Sequence, residues 1–417
     1  MGSLSHPGSK SERLLIIGSV WPEPNSSAAG SRMLQLIEIF RENSWSIAFA
    51  SAAADSRFAI DLKSIDVQKE TIELNSSSFD NFIKELQPQI VIFDRFMTEE
   101  QFGWRVAENC PEALRILDTE DLHCLRHARQ TAWKARRQFS LPDLNNDIAK
   151  REIASIYRSD LSLIISKYEI ELLKEYFKVD QSLLHYLPFM LEQAENSDYP
   201  DFSSRKHFIT IGNFLHEPNW NSVQYLKEKI WPLIRKQLPQ SELHVYGAYP
   251  SQKVFALHNE KEGFLVKGRA DSAEDVIKNA RVLLAPLRFG AGLKGKLVDA
   301  MNFGTPSVTT GIGAEAMHDQ LDWSGLVADS AEGISNAATR LYSDEALWNK
   351  SQQNGFKIIE SVYPKKSLGQ EFINRVATLR SGIKEHRLNN FTGSMLMFHT
   401  VSGTKYMSKW IEEKNKL

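Results

Sequence analysis

The predicted fold is decided by the segment Arg281-Val-Leu-Leu-Ala-Pro-Leu-Arg-Phe-Gly-Ala-Gly-Leu-Lys-Gly-Lys-Leu-Val-Asp-Ala-Met301. It begins with a short continuous apolar run, which is typical of a strand buried on both faces of a parallel sheet. A turn of small residues, 290–292, follows, and the next residues continue as a helix. Strand, glycine turn and helix together form one unit of a doubly wound α/β sheet.

The same alternation extends to both sides of this segment. Apolar runs separated by helical patterns recur from residue 207 to residue 328, and an earlier series runs from residue 14 to residue 187. Because strands that alternate with helices form parallel sheets, we expect an α/β protein with two Rossmann-like, doubly wound domains. The residues after about 331 are predicted to be mostly helical.

The boundary between the two series is expected in a polar stretch rich in Asn, Ser, Asp and Pro, residues 192–206. The predicted organisation is a flexible N-terminus (1–12), an N-terminal domain (13–191), this linker (192–206), a C-terminal domain (207–380) and a helical tail that packs back on the first domain (381–417).

Composition excludes several classes of protein. The 417 residues carry 50 Lys+Arg and 52 Asp+Glu, a net charge of −2, which argues against a nucleic-acid-binding protein. The two cysteines and the histidines have no zinc-ligand spacing, so we expect no metal and a reducing compartment. With a polar start and no apolar run of roughly 20 residues, we expect a cytoplasmic protein, and contact with a membrane surface stays open. The length predicts two or three domains with a site between them.

Two lysines point to the chemistry of the decisive segment. Lys294 and Lys296 fall in the first turn of the helix that follows the glycine turn. Cations are unfavourable at a helix N-terminus unless an anion binds there, and a bound diphosphate would explain both of them. In the alternative, Lys296 pairs with Asp299 and Lys294 is solvated.

Residues 280–315 resemble the donor-binding core of GT-B-fold glycosyltransferases, in particular the retaining family 4 (group 1) enzymes with a Gly-Ala-Gly-x-Lys-x-Lys donor loop. The resemblance rests on the order strand, glycine-rich loop, acidic helix, Gly-x-Pro, strand and Gly-Ala-Glu. It implies two domains that face a cleft, and transfer of a hexose-type sugar from a UDP-, GDP- or dTDP-linked donor. The implied acceptor is a glycan, a lipid-linked molecule or a small molecule. Retention, no metal and no cofactor are implied as well.

The resemblance also assigns roles in the second domain. Asp299 matches the second acidic residue of the family's Glu-x7-Glu motif and would accept hydrogen bonds from the ribose. The first acidic position is Ala291, so the backbone amides of the loop would hold the sugar instead. Lys294 and Lys296 would stabilise the departing diphosphate. The other expected donor-binding residues are Gly290, Gly292, Leu293, Gly268, Arg269 and Glu315. For Gly268 an ordinary turn is the alternative, and for Glu315 a favourable position in the first turn of a helix.

Two loops of the first domain complete the predicted site. Gly30, in the small-residue loop 26–31, is expected beside the donor phosphate, with simple helix capping by Ser27 or Ser31 as the alternative. The loop 118–123 crowds three carboxylates, and Glu120 and Asp121 are candidate catalytic residues on the acceptor side. Similar enzymes often have His-Asp at this place, and capping of the following helix is the alternative reading.

Two further segments leave their partners open. Arg126, Arg129, Trp133 and Arg137 share one helical face, which would suit an anionic membrane or an acceptor phosphate, or would simply be solvated. The tail has a net charge of +3 and several large apolar residues, so a surface anchor is the second expectation for it after packing on the first domain.

Two other functions fit parts of the pattern. One is a sugar-nucleotide epimerase or a phosphorylase on the same two-domain plan. The other is a non-catalytic interaction protein, which would account for Ala291 and the missing His-Asp. Binding and hydrolysis of a nucleotide sugar would separate these from a transferase.

Overall fold

The computed structural model describes residues 12–192 and 199–416, and these form two parallel sheets covered by helices. The α/β class with two Rossmann-like domains and a helical C-terminus is thus confirmed. Most of the expected flexible N-terminus, and residues 193–198 of the expected linker, lie outside the described residues. No helix in the described part is long and apolar enough to cross a bilayer.

The first sheet has the strand order β3-β2-β1-β4-β5-β6-β7. Side chains of its inner strand β1 (Arg13–Gly18) alternate between two apolar clusters, since Leu15 and Ile17 lie in one and Leu14 and Ile16 in the other. The strands are β1 (Arg13–Gly18), β2 (Ser46–Ser51), β3 (Val67–Thr71), β4 (Ile90–Asp94), β5 (Leu114–Asp118), β6 (Leu161–Ile164) and β7 (Leu184–Tyr186). The helices are α1 (Ala28–Glu42), α2 (Ser78–Leu86), α3 (Phe96–Asn109), α4 (His123–Lys134), α5 (Asp147–Arg158) and α6 (Lys167–Glu175).

The second sheet has the order β10-β9-β8-β11-β12-β13 and is also parallel. Its strands are β8 (Lys206–Ile211), β9 (Leu243–Tyr246), β10 (Phe264–Gly268), β11 (Ala280–Ala285), β12 (Ser307–Thr309) and β13 (Gly325–Val327). Its helices are α7 (Glu217–Tyr225), α8 (Trp231–Gln237), α9 (Gln252–Phe255), α10 (Ala273–Lys278), α11 (Gly295–Asn302), α12 (Gly311–Ala314), α13 (Ala331–Ser343) and α14 (Glu345–Val362).

The chain returns to the first domain directly after α14. Leu191, which leaves the first domain, donates its N–H to Tyr363 O and accepts from Lys365 N, so the two crossings lie side by side. Three helices follow: α15 (Lys365–Ser381), α16 (Ile383–Asn389) and α17 (Phe391–Lys414).

Helix α15 belongs to the core of the first domain. Phe372 packs edge-on against Phe40 with ring centroids 5.7 Å apart, and Val376 and Leu379 join the same buried cluster. The sequence assigned residues up to 380 to the second domain, whereas the structure places the return at Lys365. Helices α16 and α17 then continue on the first domain, where α17 lies over α3 and α5.

Candidate functional site

The two expected anion-binding lysines lie at the start of α11. The turn before it needs a left-handed residue, which Gly292 supplies with φ +61°. Lys294 donates to Gly292 O at 2.8 Å, and Lys296 donates to Asn219 Oδ1 at 2.8 Å. Within the described residues neither lysine forms an ion pair, so the alternative pairing of Lys296 with Asp299 is not formed.

Burial changes the charge state of both lysines. It lowers the pKa of Lys294 to about 8 and that of Lys296 to about 7, because an ammonium group loses hydration there. The helix dipole acts in the same direction, since its positive end lies at the same place. An anion bound here would gain from both lysines and would raise their pKa values.

Asp299 lies one turn further along α11. Its carboxylate has no hydrogen-bond partner in the parts of the chain that the structure covers, and burial raises its pKa to about 7. The two oxygens of such a group can accept from two adjacent hydroxyls, as a ribose would offer them.

Side chains of the first domain hold the glycine loop, residues 290–292, at both ends. Arg129 Nη1 donates to Gly290 O at 2.9 Å, and Glu169 Oε1 accepts from Gly292 N at 2.9 Å. Between them, Ala291 packs on the apolar core of the first domain, while Leu293 is buried in the core of the second domain. The amide of Gly292, which the sequence offered to a sugar, is therefore bonded to the side-chain carboxyl group of Glu169 in this structure.

Glu315 binds the first domain through an ion pair. Arg129 donates to both of its oxygens, at 2.8 and 2.7 Å, and the guanidinium also lies 5.0 Å from the ring centre of Tyr168. Burial of Arg129 opposes its charge, but the carboxylate outweighs this and raises the pKa of the arginine. The position of Glu315 beside the glycine loop is thus fixed from the opposite domain.

The remaining residues of the basic face of α4 and the segment after it are engaged as well. Arg126 pairs with Asp121, and Arg137 pairs with Asp143. Trp133 packs against Phe289 with the rings tilted and their centroids 5.1 Å apart. Arg129 and Trp133 therefore face the second domain.

The two carboxylates after β5 differ in charge state. Burial and the nearby Asp118 raise the pKa of Glu120 to about 8, and its Oε1 is buried without a hydrogen bond. For Asp121 burial acts in the same direction, but Arg126 and His123 outweigh it and lower the pKa. At neutral pH the pair therefore offers one protonated acid and one carboxylate, and Gly292 lies directly against Asp121.

Gly30 lines a cavity of about 190 Å³ between the domains. Its N–H donates to Ser27 Oγ at 3.1 Å, so the helix cap expected as the alternative is formed. The cavity is lined by Ser27, Gly30, Asp94 and Arg95 of the first domain and by Asn213, Leu215 and Tyr249 of the second, among others.

Gly268 is the last residue of β10, and Arg269 follows it at the carboxyl edge of the second sheet. Gly268 has a left-handed backbone, with φ +80°. Arg269 lies 4.3 Å from the ring centre of Phe58 in the first domain, and its Nε is buried without a hydrogen bond. Within residues 12–192 and 199–416, no cluster of His, Cys, Asp or Glu could hold a metal ion.

Two anchors of the glycine loop were not foreseen. Arg129 was noted only as part of a basic face, and nothing in the sequence of α6, which carries several acids and lysines, distinguishes Glu169 from its neighbours. Asn219, the partner of Lys296, stands on a different helix 77 residues away. These contacts depend on how the domains meet.

Comparisons with known proteins agree with this architecture. Residues 205–344 match the family model described as "Glycosyl transferases group 1". A sucrose-phosphate synthase from Thermosynechococcus elongatus superposes with a TM-score of 0.68 at 14% identity, covering 89% of this chain and 100% of that one. The chain has the GT-B fold. No curated protein sequence matches it.

Other proteins of the GT-B fold were solved with ligands. Anabaena Alr3699/HepE, in complex with UDP and glucose, superposes with a TM-score of 0.65 at 13% identity, over 88% of this chain and 99% of that one. A single-residue mutant of S. aureus TarM, in complex with Fondaparinux, alpha-GlcNAc-glycerol and UDP, gives 0.55 at 12% identity, over 71% of this chain and 57% of that one.

Proposed function

We propose that this protein is a glycosyltransferase that moves a hexose-type sugar from a nucleotide diphosphate to an acceptor. The observation that carries the proposal is the pair of lysines at the start of α11, one buried and one half-buried, which form no ion pair with any described residue. They lie in the segment that matches the glycosyl transferase group 1 model, and the HepE and TarM structures of the same fold contain UDP.

The donor would lie on the second domain. Its diphosphate would contact Lys294, Lys296 and the first amides of α11, and Asp299 would accept from the ribose hydroxyls. Negative charge develops on the diphosphate when the glycosidic bond breaks. Two cations and a helix N-terminus prepared for that charge lower the barrier by several kcal/mol. With this charge supplied by the protein, the proposed reaction uses no metal and no cofactor.

The acceptor would enter against the first domain, near the loop after β5. Asp121, which touches the glycine loop, is the candidate to accept a hydrogen bond from a reacting hydroxyl, and protonated Glu120 is the candidate donor. The retaining course, the base of the nucleotide (uracil, guanine or thymine) and an acceptor that is a glycan, a lipid-linked molecule or a small molecule belong to the proposal through the family resemblance.

Calorimetry with UDP, GDP and dTDP tests the binding site. We expect one of them to bind with uptake of protons near pH 8, because the diphosphate raises the pKa of both lysines. The uptake is measured as a dependence of the binding enthalpy on the ionisation enthalpy of the buffer. The double variant Lys294→Ala/Lys296→Ala should lose this binding and all turnover of the donor.

The matched control is Lys278→Ala, which removes a partly exposed lysine of the same domain that pairs with Asp275. It should bind the nucleotide like the unaltered protein. Near-normal turnover in the double variant would refute the proposal. Epimer formation without an acceptor would favour an epimerase, and no binding of any nucleotide would favour an interaction protein.

A further inference from the structure

The outermost helix of the molecule, α17, has an apolar face in solvent. Its exposed side chains include Phe391, Phe398 and Tyr406, which are 77%, 70% and 69% exposed. Among the side chains that the structure describes, the large apolar ones exposed on α17 and at the end of α16 are Leu388, Phe391, Met395, Phe398, Tyr406, Met407 and Trp410. Single exposed apolar residues are normal, but a contiguous patch of this kind marks an interaction site.

The exposed residues follow the helical repeat. Phe391, Met395, Phe398, Ser402 and Tyr406 are separated by four, three, four and four positions, which places them on one side of the helix. We call this side, together with Trp410 one turn further along, the outer stripe.

The fully buried described residues of α17 are small, Gly393 and Ser408, while Leu396, Met397 and Ile411 are half-buried. A Cβ at Gly393 would lie only 2.1 Å from Tyr157 O, and Ser408 accepts from Arg105 at 3.1 Å. At the helix start, Asn390 also donates to Tyr157 O, at 2.8 Å. A helix on a globular protein ordinarily buries its apolar side and exposes its polar one. On α17 the large aromatic side chains lie on the exposed side instead, so folding of this chain does not account for the outer stripe.

Between residues 386 and 411, which include the whole outer stripe, the formal charge of the chain has one sign. No Asp or Glu occurs between Glu385 and Glu412, whereas Lys405 and Lys409 lie within that range. Lys405 is held by Glu108, but Lys409 is exposed. Beyond Trp410 the end of the helix carries both signs, with Glu412, Glu413 and Lys414. The stripe therefore complements a negatively charged surface.

We propose that the outer stripe of α17 docks the protein on an anionic lipid bilayer. The helix would lie in the plane of the interface, with its aromatic side chains among the acyl chains and its lysines among the headgroups. A second copy of the chain is a poorer occupant, because two such stripes would bring Lys409 against another cationic stripe without an acid between residues 386 and 411 to pair with it.

Flotation of the full chain with vesicles tests the proposal. Vesicles of equal parts phosphatidylcholine and phosphatidylglycerol should carry the protein, and vesicles of phosphatidylcholine alone should carry much less. The triple variant Phe391→Ser/Phe398→Ser/Trp410→Ser should bind the anionic vesicles roughly tenfold less or weaker still, because it loses most of the insertable apolar surface. All three side chains are exposed, so the fold is kept.

The matched control is Leu74→Ser/Leu141→Ser/Phe255→Ser, which removes three apolar side chains of about half exposure at other places. It should bind anionic vesicles like the unaltered protein. A second measurement places a polarity-sensitive dye on Ser402→Cys. Both native cysteines are buried, so the label reports on the stripe. Its emission should shift to the blue with anionic vesicles.

Three outcomes would overturn the proposal. They are no binding to anionic vesicles, equal loss of binding in the two triple variants, and a dye that responds to protein concentration rather than to lipid. The last result would indicate that a second copy covers the stripe. Donor binding plays no part in these measurements, so their failure leaves the proposed function untouched.

Discussion

Helices α4 and α17 differ in which side chains they bury: α4 buries a charged residue, whereas α17 exposes aromatic ones. On α4, Arg129 is buried between the domains and reaches Glu315 and Gly290 O. On α17, Phe391 and Phe398 stand in solvent, while Gly393 and Ser408 face the protein. Each helix departs from the usual rule of apolar inside and charged outside at these positions, and each time the reason is what lies opposite. A buried cation is stable where a carboxylate and a carbonyl meet it, and an apolar face can remain outside where small residues make the contact.

Replacement of Arg129 should have the largest effect on the free energy of unfolding. Arg129→Ala leaves Glu315 without its partner and Gly290 O without its donor, and removing one member of a buried ion pair costs about 3 kcal/mol or more. We expect this loss in the free energy of unfolding from urea titrations. Arg137→Ala is the control, because that arginine pairs with Asp143 in solvent, and its loss should be far smaller. Equal losses would mean that the interface between the two domains is not stabilised by Arg129.

The polar side of α17 can be tested with two glycines of that helix. Gly393→Ala places a methyl group against Tyr157 O and should destabilise the docked helix by about 1–3 kcal/mol. Gly403→Ala meets no atom within 4 Å and should stabilise α17 slightly, by up to about 1 kcal/mol. Hydrogen exchange of the α17 amides measures both changes. Similar exchange in the two variants would show that close packing at Gly393 does not hold the helix.

The contact between the two domains at Glu169 can be tested through the pH dependence of stability. Burial and the neighbouring Asp121 raise its pKa to about 8, from 4.5 ordinarily. The folded protein therefore keeps a proton that the unfolded chain has released, and stability falls as pH rises through this window. Glu169→Gln escapes that fall, so its stability relative to the unaltered protein should improve between pH 5 and 8, by roughly 1 kcal/mol per pH unit at most.

The control for this experiment is Glu171→Gln, on the same helix but exposed. Its unfolding free energy, measured across the same pH range, should run parallel to that of the unaltered protein. If the Glu169→Gln curve is also parallel, the carboxyl group of Glu169 is ionised in the folded state and does not hold a proton at the contact between the domains.

The sequence could predict features that depend on a local pattern, but not those that depend on contacts between distant residues. The strands were readable because apolar runs such as Leu14–Ile17 need covering on both faces, whatever lies elsewhere. The position of Lys294 and Lys296 at the start of a helix could also be predicted, because a glycine turn precedes them. The position of Asp299 on α11 also follows from its own segment.

The partners of these groups were not readable. Arg129 contacts Gly290 and Glu315, which are 161 and 186 positions further along the chain. Lys296 contacts Asn219, which is 77 positions before it. No periodicity reports which two loops will face each other across a cleft. The return at Lys365 was missed because α14 and α15 both show helical spacing, and only packing distinguishes the domain to which each belongs.

That return sets the order in which the molecule can be completed during synthesis. The core of the first domain includes Phe372, Val376 and Leu379, which leave the ribosome after the entire second domain. Domains usually fold one after another from the N-terminus. Here the first domain to be translated is the last to be finished, and until then the apolar surface of α1 around Phe40 is open to other partners.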